Sequence, residues 1–134
     1  MNIQKDMNDL IELQGVREWL KRNPDRLDQW LNFRMDLLRE EFKETTTAHN
    51  HGVADEVVDG MIDLMVVASG TLVAMGVSVT VAWDRVHRAN MSKTPGRNPS
   101  RPNPLGVPDL VKPDNWQEPV HSDNTGGLDR VYSK

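Results

Sequence analysis

The chain has 134 residues and carries 16 Lys plus Arg against 20 Asp plus Glu, a formal net charge of -4. That length allows one domain of ordinary size, and that charge argues against a dedicated binder of nucleic-acid backbones, which needs a surplus of cations. Zero Cys excludes disulfides, thiolate metal sites and a Cys nucleophile.

The first predicted helix spans about residues 4–22, where Met7, Leu10, Ile11, Leu13, Val16, Trp19 and Leu20 recur near three-to-four spacing. Asn23 and Pro24 then form a helix-start signal, with Asn as N-cap and Pro at the first helical position. The second helix, about 25–46, aligns Leu27, Trp30, Leu31, Arg34, Leu37, Leu38, Glu41 and Thr45 in one stripe. The segment TTTAHNHGV is expected to end it as a loop, which leaves His49 and His51 solvated and without a partner at metal-ligand spacing. The third helix, about 54–75, is apolar almost all round and must be covered on every side. Gly76 stops it, Ser78 caps the next, and VTVAWDRVHRANMSK forms a fourth helix to about residue 92. His87 and Arg88 read as surface residues of that helix.

Seven of the eight prolines lie beyond residue 94, and proline removes an amide hydrogen and fixes φ. The expectation is therefore an all-α, four-helix-bundle-like core over residues 1–93, followed by an irregular Pro-rich tail over 94–134 that packs on the core or on a neighbouring subunit. A core this small has difficulty enclosing a third helix of roughly 31 Å, so homo-oligomerisation is expected, a tetramer before a dimer. No basic start followed by an apolar run is visible at the N-terminus, and the apolar stretch 57–79 is interrupted by Asp59 and Asp63. A soluble cytoplasmic protein without a membrane or nucleic-acid partner is expected.

The acids carry the functional signal. Glu41 continues the stripe of the second helix that should face the core, and Glu44 follows three residues on. Glu56, Asp59 and Asp63 recur at three and four inside the otherwise apolar third helix, which has no Lys or Arg; none occurs between Lys43 and Arg85. Burying an unpaired carboxylate costs several kcal/mol, so a counter-charge must come from another helix, another subunit or a metal. Facing pairs of acids suit a hard, oxygen-preferring cation such as Mg²⁺ or Mn²⁺, and Mg²⁺ recruits phosphates as remaining ligands. Asp63, one turn beyond Asp59, either joins that cluster from outside the ligand set or pairs with a cation such as Arg34.

Glu40-Glu41-Phe42-Lys43-Glu44 followed by Asp55-Glu56-Val57-Val58-Asp59 resembles the EExxE and ExxD signature of the MazG-like, all-α nucleoside triphosphate pyrophosphohydrolases. That group also contains dimeric dUTPases and phosphoribosyl-ATP pyrophosphohydrolases. Val86 to Lys93 is similar to the VHxANMSK block of short bacterial and phage members, and Lys112-Pro113-Asp114-Asn115-Trp116 resembles a stretch of their tails. One departure is the short interval of 11 residues between Glu44 and Glu56. The resemblance implies hydrolysis between the α and β phosphates, giving a nucleoside monophosphate and pyrophosphate. It implies Glu41, Glu44, Glu56 and Asp59 as Mg²⁺ ligands, Glu40 as the group that orients or deprotonates water, and Asp63 as a ligand or its support. A phage member would work in the host cytoplasm.

An acidic cage repels a polyphosphate unless cations meet its far end, and Asn90, Lys93 and Arg97 are the candidates for that contact. Trp30, Phe33 and Trp83 read as core aromatics, with stacking on a base as the other option, and Trp116 as an anchor for the tail. The signatures GxxxxGK[ST], GxGxxG, HExxH and GxSxG are absent. The leading function is a Mg²⁺-dependent pyrophosphohydrolase of (deoxy)nucleoside triphosphates. Phosphoribosyl-ATP pyrophosphohydrolase is the enzymatic alternative, and a non-catalytic helical module that binds a nucleotide or a basic partner is the other.

Overall fold

The computed structural model describes residues 1–133. They form six α-helices, one 3-10 turn and a two-stranded sheet, so the fold is helical with a small β addition. The chain divides into two units, one of residues 1–79 with 125–134 and one of residues 80–124. The Pro-rich segment is thereby shared between them.

In the first unit, the expected first helix is two helices, α1 (Ile3–Gln14) and α2 (Val16–Arg22). Gly15 separates them at φ 70, a left-handed conformation that ends α1 as its amide donates to the carbonyls of Ile11 and Glu12. Asn2 caps α1, its side-chain oxygen accepting from the Lys5 amide at 3.0 Å. Pro24 opens a 3-10 turn, Pro24–Arg26, but Asn23 makes no cap bond and donates instead to the Trp19 carbonyl at 2.8 Å.

α3 (Leu27–Asn50) runs one turn further than the sequence suggested. The threonines do not break it, because each hydroxyl bonds back into the helix: Thr45 to the Glu41 carbonyl at 2.7 Å, Thr46 and Thr47 to that of Lys43 at 2.9 Å each. His49 therefore sits in the last turn of α3 rather than in a loop, and His51 is the C-cap. Only His51–Val53 connect α3 to α4 (Ala54–Ala74), which accounts for the short interval between Glu44 and Glu56.

α3 and α4 form an antiparallel pair. Near one end Thr45 meets Gly60, and near the other Arg34 donates to Thr71 Oγ1 at 2.8 Å and to the Val67 carbonyl at 3.1 Å. The contact at Gly60 is close enough that a Cβ there would lie 2.1 Å from Thr45 Oγ1. Met7 and Ile11 of α1 pack on Val73 of α4, and Leu31 of α3 packs with Met75 and Val77. The second cluster is covered by Leu128 and Val131 of α6 (Leu128–Tyr132), which is held where the Gly127 amide donates to the Met75 carbonyl at 2.7 Å. Gly126, at φ 54, makes that approach possible, since a Cβ would fall 2.1 Å from the Met75 oxygen.

The expectation that the third helix is covered all round fails within one chain. Val58 is 65% exposed and Ile62 52%, with Met61 and Met65 beside them on α4. By length and composition alone α4 is apolar enough to cross a membrane, although it carries Asp55, Glu56, Asp59 and Asp63. Phe33 is exposed rather than core, whereas Trp30 packs on the Leu31 cluster beneath Arg34.

The second unit holds α5 (Val79–Met91) from its second residue on and is less irregular than its proline content suggested. β1 (Thr94–Gly96) pairs antiparallel with β2 (Asp109–Val111), Pro95 facing Leu110 in the register. Pro95 is tolerated because a two-stranded ribbon has only edge strands. Trp116 anchors the unit: its indole donates to the Ala89 carbonyl at 2.8 Å, and Lys93 and Lys112 lie 5.1 and 4.8 Å from its ring centroid. Arg85 forks onto both oxygens of Asp123, at 2.6 and 2.8 Å, and donates to the Val120 carbonyl at 3.0 Å. Trp83 of α5 is 63% exposed rather than core, and His87 and Arg88 are on the surface, Arg88 paired with Asp84 at 3.0 Å.

Candidate active site

The antiparallel register places the C-terminal half of α3 against the N-terminal half of α4, which is where both sets of acids lie. Glu41 sits one turn before Thr45 on the face that meets α4, and Glu56, Asp59 and Asp63 flank Gly60. Gly60 is thus what lets the two acid-bearing backbones approach. Glu40, Glu44 and Glu56 line one pocket of about 510 Å³ together with Lys43, Thr47 and Ala48. Lys43 is the member of that pocket that the acid pattern did not single out, although it lies inside the EEFKE run.

Glu41 is half-buried, and its pKa is raised above the usual glutamate range. Loss of hydration is the main cause, followed by the like charges of Asp63, Glu44, Glu40 and Asp59. These five acids from two helices therefore share one electrostatic neighbourhood. Among the described residues no ion pair reaches Glu40, Glu41, Glu44, Glu56, Asp59 or Asp63. Arg34, the possible partner of Asp63, is spent on Thr71 and Val67, and burial lowers its pKa. The donor set, carboxylate oxygens with uncompensated charge, is that of a hard divalent cation. Among the described residues no three of these side chains are already gathered at ligating positions.

The three residues expected to meet phosphate all lie in the second unit. Lys93 Nζ donates to Asn90 Oδ1 at 3.1 Å while resting over Trp116, so these two act as one group. Arg97 is exposed and has no ion pair among the described residues.

The helical hairpin of α3 and α4 thus brings six acids from two helices to one end, with no ion pair to any of them among the described residues. The family described as phosphoribosyl-ATP pyrophosphohydrolase matches residues 16–90, which contain both acid-bearing helices and Asn90. The chain belongs to that family, within the same MazG-like all-α superfamily, and is a nucleotide pyrophosphohydrolase, a hydrolase acting on acid anhydrides. No curated protein and no solved structure matches it.

Proposed function

We propose that the protein is a Mg²⁺-dependent pyrophosphohydrolase that converts (deoxy)nucleoside triphosphates to the monophosphates and pyrophosphate, Mn²⁺ serving as a substitute. The observation that carries this reading is the close approach of α3 and α4 at Thr45 and Gly60, which brings Glu40, Glu41 and Glu44 to the same end as Glu56, Asp59 and Asp63, a concentration of negative charge that a divalent cation would relieve. Glu41, Glu44, Glu56 and Asp59 would hold the ion, with Asp63 as a further ligand or as support for one. A bound divalent ion neutralises phosphate charge and orients the anhydride.

The remaining chemistry falls to the chain. Glu40 sits beside Glu44 and Glu56 in the pocket between α3 and α4, where its carboxylate orients a water and takes its proton as the oxygen attacks phosphorus next to the α–β bridge. The bond from that phosphorus to the bridging oxygen breaks, and pyrophosphate leaves. Asn90, Lys93 and Arg97, all in the second unit, are the proposed donors to phosphate oxygens, by their chemistry alone. We further infer that a second copy covers Val58, Met61, Ile62 and Met65 of α4, in a dimer of dimers, since a contiguous apolar face beside the acid pocket is costly to leave in water.

Phosphoribosyl-ATP is the second reading, favoured by the description of the matching family. Pyrophosphate release from a panel of dNTPs, NTPs and phosphoribosyl-ATP with Mg²⁺ separates the two. Turnover should fall to background in Glu41→Gln and Asp59→Asn while both variants stay folded, and full activity in both would refute the role given to these acids.

A further inference from the structure

The opposite end of the first unit holds a second pocket, also of about 510 Å³, with the reverse electrostatics. Arg17 and Lys21 of α2 and Arg130 of α6 line it over Leu20, Leu27 and Val73, and no acid is among the described residues that line it. In a chain of net charge -4, three cations without an acid is a strong local departure. Val73 lies 17 residues along α4 from Glu56, about 25 Å at the helical rise, so this pocket is separate from the carboxylates.

Structural roles do not use up the three cations. Arg17 Nη2 donates to Asn8 Oδ1, a neutral partner. Lys21 lies 3.5 Å from Glu18, an exposed pair of the kind that contributes little. Arg130 has no ion pair among the described residues. The ends of α2 and α4 favour cations here, but each supplies only about half a negative charge, less than the three side chains together. Arg17, moreover, stands in the first turn of α2, where the dipole disfavours a cation.

We propose that this pocket binds an organic phosphate, a phosphate monoester carried on an apolar body. The volume falls within the range of ligand pockets, roughly 300–1,000 Å³, and the combination of apolar floor and a few convergent charges is what such sites use. A monoester carries close to two negative charges near neutral pH, which answers three cations better than a single carboxylate does, and the guanidinium fork fits its oxygens.

The test is calorimetric titration of the full chain in EDTA with 1-naphthyl phosphate, inorganic phosphate and 1-naphthol. The naphthyl phosphate should bind at least tenfold more tightly than either fragment, and Arg130→Glu should weaken it at least tenfold. Arg17→Gln should weaken it in the same direction, and Glu41→Gln should leave it unchanged. Equal binding of inorganic phosphate, equal binding by Arg130→Glu, loss of binding in Glu41→Gln or no binding at all would each overturn the proposal.

Discussion

Replacing Gly60 by alanine tests whether the acid-bearing helices meet as closely as the structure shows. On intrinsic grounds the change is favourable, since alanine in a helix interior is better than glycine by about 0.5–1 kcal/mol. Here the added Cβ would sit 2.1 Å from Thr45 Oγ1, 3.0 Å from its Cβ and 3.3 Å from its Cγ2. Rotating Thr45 exchanges oxygen for methyl and leaves the Cβ contact in place, and the side chain is 3% exposed, so it has nowhere to go. The helices must separate, and overpacking of this kind costs about 1–3 kcal/mol or more. Gly60→Ala should therefore be destabilised by about 1–2 kcal/mol net, lowering Tm by roughly 4–8 °C for a domain of this size. Pyrophosphate release should fall further than the unfolded fraction explains, because the separation occurs between Glu41 and Asp59. Adding Thr45→Ala, which removes both γ atoms, should restore much of the lost stability relative to Thr45→Ala alone. Denaturant titrations of the four proteins give the coupling, and a Gly60→Ala variant as stable as the parent, with no coupling to Thr45, would refute the close approach.

Glu41 carries a pH prediction: with its folded pKa raised, the stabilisation is fully present below the usual glutamate value near 4.5 and is lost as pH rises through the folded pKa. In EDTA, Glu41→Gln should thus melt above the parent at pH 7, the gap closing below pH 4.5, and an unchanged or lower melting temperature at pH 7 would contradict the crowded-acid picture. Mg²⁺ should raise the Tm of the parent by mass action and raise that of Glu41→Gln or Asp59→Asn less; equal shifts would place the ion elsewhere. Light scattering on Ile62→Glu should show a smaller assembly than the parent, since Ile62 is already 52% exposed in one chain and an isolated copy gains nothing by hiding it. A parent that runs as a monomer would refute self-association. Trp116→Ala removes the bond to the Ala89 carbonyl and the face on which Lys93 and Lys112 rest, so trypsin should cut after Lys93 at least several-fold faster, read by mass spectrometry of timed digests.

Where the sequence and structure part company, local chemistry overrode a propensity. The run Thr45-Thr46-Thr47 reads as a helix breaker because β-branched hydroxyl residues compete with the backbone, yet here all three hydroxyls close onto carbonyls one turn back and the helix continues. Gly15 had the opposite fate: the apolar period runs through it without a break, so nothing in the spacing marks the left-handed residue that divides α1 from α2. The hairpin of β1 and β2 was hidden by proline, which disfavours strands in general but not at the edge of a ribbon. Phe33 and Trp83 were assigned to the core on average behaviour, and one chain leaves both exposed.

Glu41 was legible because a carboxylate on a stripe that continues a core face conflicts with its own surroundings, and it and Asp63 are partly buried; Glu44, Glu56 and Asp59, expected from the same periodicity to be drawn out of water, are exposed in one chain. Periodicity could not show which backbone contact brings the two stripes together, because Gly60 inside an apolar helix looks like a weak point rather than a point of closest approach. Nor could it pair Arg34 with Thr71 and Val67 instead of Asp63, since that choice depends on the register between α3 and α4. Once the register is fixed, Arg34 sits beside Gly70, at the end of the helix pair away from Glu41, and its charge is committed to Thr71 and Val67 rather than to Asp63. On the proposed readings a cation answers the acidic end and an organic phosphate the pocket lined by Arg17, Lys21 and Arg130. The acids of α3 and α4 lie about 25 Å along α4 from Val73 and the cations of α2 and α6 beside it, so the two proposed ligands would bind one small helical unit without competing.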